Sequence, residues 1–379
     1  MSFSILQPGR ILFGRGEAAK AAGLALGYGS RVLLVHGSDG PRADWLADAL
    51  TAKGAEVQRH ACHAEPTLPM LEEAVSAARG FAPQIVLALG GGAALDLGKA
   101  LAALIPAPAG VMDHLEVVGK GLPLQAAPLP FIALPTTAGT GAEVTKNAVI
   151  GLPDHGRKVS LRDDAMIARV AIIDPALTDG CPRGVTLASG LDAVTQVIEP
   201  YVSCKATPYT DALTRPVIGS GLRAVMRLME GEDAGARDQI AWTSLCGGLA
   251  LANSGLGAVH GFAGVIGGMT GAAHGAICGT LLGPVLGMNR ARSTGTARLR
   301  LDEVCAILAG ELGCDAVDAP LRLADWARAA GLPGLTALGL APGDHADVAA
   351  ASLVASSMKG NPVALGLSDL QGILETAAG

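Results

Sequence analysis

Apolar and polar positions divide the chain into two halves of different periodicity. Up to about residue 180, short continuous apolar runs alternate with segments of helical spacing. Arg31–His36 (RVLLVH), Glu56–His60, Ile85–Leu89 (IVLAL), Phe131–Leu134 and Ala171–Ile173 read as strands. Continuous aliphatic runs of that length belong to strands buried on both faces. Between them Arg42–Lys53, Pro69–Arg79 and Ala94–Leu104 read as helices. Pro69 is expected at a first helical position, where a missing N–H costs nothing. Such alternation predicts an α/β domain around a parallel sheet, with ligands bound beyond the strand C-termini. After Pro182 strand signals fade, and Val185–Tyr201, Thr210–Glu230, Gly235–Ala252 and Leu301–Gly310 read as helices. The expected organisation is an α/β domain over 1–180 and an all-α domain over 181–379, with a site in the cleft between them.

One stretch departs from both patterns. From Gln239 to Asn289 the chain holds no Asp, Glu, Lys or Arg, a span long enough to cross a bilayer. It is broken by recurrent glycines and by Asn253, Ser254, His260 and His274, and no tryptophan or tyrosine belt flanks it. Buried core carrying a polar site is the expectation, with a membrane span as the minor alternative. Half the residues are apolar, aromatics are only 3%, and there are 52 glycines, so the core is expected to pack small side chains closely. The net charge of −6 is modest and interspersed, which argues against nucleic acid or membrane lipid as a partner. Seven scattered cysteines without a CxxC read as reduced thiols. The N-terminus lacks the run of a signal peptide, and a cytoplasmic location follows as the expectation. Lys99 is expected to be solvated, Trp242, Cys246 and Cys278 to be core, and Glu199-Pro200-Tyr201 to be a helix exit.

Candidate chemistry lies in two loops. Leu89-Gly90-Gly91-Gly92-Ala93-Ala94 joins strand to helix, and its glycines are expected to take positive φ and present consecutive N–H groups. The helix N-terminus that follows favours a pyrophosphate, with Asp96 expected in the first turn as a cap. This is neither G-x-G-x-x-G nor a Walker sequence, and a tight turn without ligand is the plain alternative. Pro135-Thr136-Thr137-Ala138-Gly139-Thr140-Gly141 also follows a buried strand. Its three threonine hydroxyls suit phosphate, ribose or carboxamide.

GGGAALDLGKA together with PTTAGTGAEVT resembles the iron-containing (group III) alcohol dehydrogenases, a family that includes maleylacetate reductases. The resemblance continues through Lys158, Asp174-Pro175, GLDAVTQVIEPYVS, AVHGFAG and Ala273-His274-Gly275 to Lys359-Gly360-Asn361-Pro362, nearly the whole chain. It implies an N-terminal parallel-sheet domain that binds NAD or NADP and a helical C-terminal domain holding Fe²⁺ or Zn²⁺, an architecture shared with dehydroquinate synthase. The implied reaction is hydride transfer between the nicotinamide and a small alcohol or its aldehyde or ketone, in a homo-oligomer. The pyrophosphate contacts then fall on Gly91, Gly92, Ala93 and Asp96. Nicotinamide and ribose contacts fall on Thr136, Thr137, Thr140, Asn147, Lys158 and Leu177. Where the family often carries an acidic residue for the ribose, this chain has Gly37, which admits a 2′-phosphate.

The metal ligands that the resemblance implies are Asp192, Gln196, His260 and His274, the last two also being candidate catalytic groups. Gln196 stands where the family has histidine, and Gly264 where it often has a second. Asp192 and Gln196, four residues apart, share one helix face, but an amide oxygen is a poorer donor than imidazole. The alternatives that stay open are a metal-independent reductase of maleylacetate type and a non-catalytic nucleotide-binding protein. A dehydroquinate-synthase-like lyase or a polyol phosphate dehydrogenase would carry more basic residues than this chain has.

Overall fold

The aliphatic runs of the first half form strands because every residue in them has apolar neighbours on both sides. The computed structural model describes residues 2–379. Its contacts divide the chain into two units: one takes Leu6–Thr137 with Gly141–Asp179, the other Gly180–Gly379 with Ala138–Thr140 and the N-terminal residues to Ile5.

The first unit contains β1 (Arg10–Phe13), α1 (Ala21–Leu26), β2 (Arg31–Gly37), α2 (Asp44–Ala52), β3 (Glu56–Cys62), α3 (Leu68–Phe81), β4 (Ile85–Gly90), α4 (Gly92–Leu104), α5 (Val111–His114), β5 (Phe131–Pro135), β6 (Asn147–Leu152), β7 (Arg157–Arg162) and β8 (Val170–Ile173). Six strands form one parallel sheet in the order β1-β8-β5-β4-β2-β3, and β6 and β7 form an antiparallel hairpin. Successive residues point to opposite faces. Leu33, Val35, Val86, Ala88 and Ala133 accordingly pack under α3 and α4, whereas Val32, Leu34, Ile85, Leu87 and Ile132 pack under α1 and α2. The inner strands β2, β4, β5 and β8 are buried on both faces, which is why they show no polar alternation, whereas the edge strands β1 and β3 are partly exposed. Pro69 is the second residue of α3 rather than the first, since the helix starts at Leu68 behind Thr67.

The second unit is helical: α6 (Arg183–Val202), α7 (Pro208–Thr214), α8 (Ile218–Glu230), α9 (Ala234–Ser254), α10 (Ala258–Thr270), α11 (His274–Arg292), α12 (Gly295–Leu312), α13 (Ala319–Ala329), α14 (His345–Leu353) and α15 (Leu367–Ala377). Fifteen of the twenty residues of α6 are buried, so it lacks an amphipathic stripe and is the central helix. The segment Thr210–Glu230 is not one helix. Pro216 sits in a 3-10 turn, Arg215–Val217, that separates α7 from α8, because its ring removes an N–H donor and clashes with the preceding turn.

The charge-free span becomes most of α9, all of α10 and most of α11. Among the described residues no single helix is long and apolar enough to cross a membrane; α9 and α10 meet that test only as a pair bent by 97°. Two buried-or-exposed expectations are overturned. Trp242 is 41% exposed, although it lies in an apolar helix. Lys99 is only 1% exposed. Its ammonium donates to Ala142 O at 2.7 Å, Thr145 Oγ1 at 3.0 Å and Asn147 O at 2.7 Å, three acceptors that replace the water it gives up.

Candidate functional site

In the first unit, strand register brings the two loops together. Leu89 pairs with Leu134 and Gly90 with Pro135, so β4 and β5 end level. Thr136 N donates to Gly90 O at 3.0 Å, and a side chain at Gly91 would stand 3.3 Å from Thr137 Oγ1. Gly91 is the N-cap of α4 with extended backbone, φ −72°. None of Gly90, Gly91 and Gly92 adopts positive φ, contrary to the expectation from composition. What excludes a side chain at Gly90 is space, since a Cβ there would lie 2.6 Å from Ala94 Cβ and 3.2 Å from Gly37 N. The first helical hydrogen bond runs from Leu95 N to Gly91 O. The N–H groups of Gly92, Ala93 and Ala94 thus lack an intrahelical partner and suit an anion.

Asp96 is not the cap of α4. It lies one turn further in and accepts from Val149 N at 3.0 Å, so its carboxylate fastens the hairpin to α4. Asn147 opens that hairpin, and its carbonyl binds Lys99. Lys158, on β7, pairs with Glu65 at 2.5 Å. Leu177 follows β8, and its carbonyl accepts from Arg42 at 3.1 Å. Asp174 is buried and accepts from Ala18 N and Ala176 N, both at 3.0 Å, a structural duty. Gly37 ends β2, and a Cβ there would meet nothing within 4 Å.

In the second unit, Ala138–Thr140 lies against α6. A Cβ on Gly139 would be 2.8 Å from that of Ser189, and Gln196 Nε2 donates to Gly139 O at 3.0 Å. Asp192, Gln196 and Glu199 follow one another at i, i+4 and i+7 on one face of α6. His260 enters in the first turn of α10 and His274 opens α11. Gly275 permits the approach of α11 to α6, because a Cβ would lie 2.6 Å from Ala188 O.

These elements converge on a cluster. One ligand atom from each of Asp192, His260, His274 and Cys278 lies within 4.8 Å of the others. His260 Nε2 is 3.4 Å from Asp192 Oδ1, Cys278 Sγ is 3.6 Å from His274 Nε2, and the imidazole centroids are 5.3 Å apart. Glu199 holds the other side of His260: its Oε2 accepts from Nδ1 at 2.7 Å and its Oε1 from Val259 N at 2.7 Å. The imidazole proton is thereby held on Nδ1, facing Glu199, which leaves Nε2 as a lone-pair donor. Among the described residues, both oxygens of Asp192, Nε2 of His260 and Oε1 of Gln196 are buried without a hydrogen-bond partner.

Burial tends to raise the Asp192 carboxyl, but the imidazoles and thiol beside it hold it below the ordinary value. Burial tends to lower both imidazoles. The Cys278 sulfur, with Asp192 and Glu199, nevertheless carries His260 well above its usual value, and the Cys278 sulfur and Asp192 bring His274 up to about 9. Such a cluster seeks positive charge, which a divalent cation supplies in place of protons. Orphaned buried acceptors of hard and borderline type fit a metal of the Fe²⁺ or Zn²⁺ class.

The structure brings Asp192, His260 and His274 together, with two neighbours that the sequence does not mark. Glu199 stands in the last turn of α6, as a helix exit should, and its i+7 spacing from Asp192 puts it on the same helix face. Cys278 is buried as expected, and it also lies one turn beyond His274. At Gly264, four residues past His260, a Cβ would meet nothing within 4 Å.

Residues 8–175 match the family model for iron-containing alcohol dehydrogenase, and residues 186–378 match that of the C-terminal part of the same family. The chain is 40% identical over 205 residues to long-chain-alcohol dehydrogenase 1 of Geobacillus thermodenitrificans, covering 54% of this chain and 51% of the relative. It is 30% identical over 314 residues to 4-hydroxybutyrate dehydrogenase of Cupriavidus necator, covering 82% of each. The chain spans between 51% and 62% of the length of the first four relatives it matches. Among solved structures, an iron-containing alcohol dehydrogenase from Thermococcus thioreducens superimposes with a TM-score of 0.87 at 26% identity, over 100% of this chain and 99% of that one. A 1,3-propanediol oxidoreductase superimposes with a TM-score of 0.89 at 24% identity, over 100% of both chains. The chain belongs to the iron-containing alcohol dehydrogenase family.

Proposed function

We propose that this protein is an NAD(P)-dependent, metal-assisted oxidoreductase that interconverts a small alcohol with its aldehyde or ketone. The observation that carries the reading is the buried set of unpartnered donors, Asp192 and His260 with His274 beside them. In this reading the three hold a divalent cation, and Gln196 brings an amide oxygen to the same helix face. A cation bound there supplies Lewis acidity toward an alcohol or carbonyl oxygen. Glu199 fixes the His260 tautomer, so that Nε2 stays aimed at Asp192. In the first unit, the α4 amides at Gly91, Gly92 and Ala93 seat the pyrophosphate, and the Thr136 and Thr137 hydroxyls orient the nucleotide beyond β5. Asp96, Asn147, Lys158 and Leu177 belong to the same seat in this reading. Relatives act, by their names, on long-chain alcohols, sulfoacetaldehyde, 4-hydroxybutyrate and 1-propanol, so the substrate here is assigned only as a class. Seven unpaired cysteines suit a reducing, cytoplasmic setting.

The test is NAD(P)H oxidation by the full chain against a panel of aldehydes and 2-oxo compounds, with and without chelator. Turnover that is lost on chelation and restored by zinc or iron is expected. Turnover that survives chelation rejects the metal and assigns proton transfer to His260 and His274 themselves. Calorimetry showing affinity for neither nucleotide overturns the reading entirely. The open space at Gly37 makes NADPH acceptable. Gly37→Asp should turn preference toward NADH roughly tenfold or more, because like charges about 4 Å apart repel by a few kcal/mol near a protein surface. An unchanged ratio of kcat/KM values would remove Gly37 from the seat.

A further inference from the structure

We propose that the Cys278 thiolate is the fourth protein ligand of the metal, and that the centre is a sulfur-containing one which takes Zn²⁺ in preference to Fe²⁺. The inference rests on the functional reading above and goes one step further, to the composition of the coordination sphere. Gln196 leaves that sphere one strong donor short, because a neutral amide competes poorly for Fe²⁺ or Zn²⁺. Its Nε2 donates to Gly139 O at 3.0 Å, which leaves only the neutral Oε1 to offer a metal.

Cys278 is placed to fill the gap. It lies one turn after His274 on the same face of α11, fully buried, in a stretch without any charged side chain. Its sulfur shares a 4.8 Å sphere with donor atoms of Asp192, His260 and His274, and both oxygens of the 1% exposed Asp192 are unpartnered. Two of the six edges agree with a tetrahedron, and the remaining pairs lie within 4.8 Å. With bonds of about 2.1 Å to nitrogen or oxygen and about 2.3 Å to sulfur, its edges are about 3.4 Å between nitrogen and oxygen and about 3.6 Å between nitrogen and sulfur. The observed separations are 3.4 Å for His260 Nε2 to Asp192 Oδ1 and 3.6 Å for His274 Nε2 to Cys278 Sγ. Binding costs one proton, which passes from the thiol to solvent as the metal–sulfur bond forms. A thiolate donor favours zinc over the harder ferrous ion.

The experiment is zinc K-edge X-ray absorption on the full chain loaded with one equivalent of Zn²⁺, for the wild type and for Cys278→Ser. One sulfur at about 2.3 Å beside nitrogen and oxygen at about 2.0–2.1 Å is expected in the wild type. The variant should lose the sulfur shell and yield its zinc to a chelator more readily. A wild-type spectrum with nitrogen and oxygen only overturns the cysteine ligand and leaves the metal-assisted reading standing. A sulfur shell that persists in the variant overturns it too, since the sulfur would come from another cysteine. Failure of the wild type to retain stoichiometric zinc overturns both readings. Should the serine variant not fold, the wild-type spectrum alone decides.

Discussion

Glu199 carries two duties on one carboxylate. One oxygen accepts from the open amide of Val259 at the start of α10, and the other accepts the hydrogen bond of His260 Nδ1. A carboxylate behind a ligating imidazole raises its basicity and fixes its ring, and losing such a partner typically costs ten- to a hundredfold in metal affinity. Glu199→Gln keeps the shape and an acceptor oxygen but removes the charge. It should weaken zinc retention by roughly tenfold or more in a chelator competition, and an unchanged dissociation constant would refute the orienting role. Glu143 makes a different kind of statement. It is 2% exposed, and burial raises its carboxyl from 4.5 to about 7 against the opposing pull of its own backbone amide and Lys99. The folded chain therefore holds this proton more tightly than the unfolded chain does. Stability from this group is complete below about pH 4.5 and is lost progressively as pH rises towards 7. In urea titrations, Glu143→Gln should remove that part of the pH dependence. A wild-type and variant difference that does not change between pH 4.5 and 7 would contradict it.

At the scale of elements, α4 binds the hairpin through two side chains whose role the sequence does not show. Asp96 reads there as a cap of α4 and Lys99 as a solvated residue. In the structure Asp96 holds Val149 N, and Lys99 spans three oxygens of the segment between the threonine loop and β6. Lys99→Met should cost about 3 kcal/mol or more, the usual penalty for breaking a buried charged network. A loss of only about 0.5 kcal/mol, the range of surface substitutions, would show the network to be dispensable. The hairpin itself is hard to read from sequence for a physical reason. Along Asn147–Leu152 burial alternates strictly, but the half-buried face carries Asn147, Val149 and Gly151, so polarity does not alternate with it. β1 is only four residues long, too short for a periodicity. The sheet strands are legible because both their faces are covered, and α6 because its length outlasts any strand.

For the whole molecule, the legible part of the site is the part that needs no packing to be recognised. Asp192, His260 and His274 follow from motif resemblance. Glu199 and Cys278 become visible only when α6, α10 and α11 are set against one another, since a buried thiol and a buried carboxylate have no periodic signature of their own. The charge-free span acquires its meaning at this scale as well. Residues 239–289 offer Asp192 no lysine or arginine as a counter-charge, only imidazoles and a thiol, so metal occupancy and stability are coupled. A ligand that binds only the folded chain adds about 2.7 kcal/mol at a hundred times its dissociation constant. For a unit of roughly 200 residues this raises the unfolding midpoint by about 5–10 °C, at 2–4 °C per kcal/mol. Scanning calorimetry of the chelated protein with and without added zinc should show that rise, and Asp192→Asn should abolish it. A midpoint indifferent to zinc in the wild type would mean that the four side chains meet for packing alone, because a metal held by the native state must stabilise it.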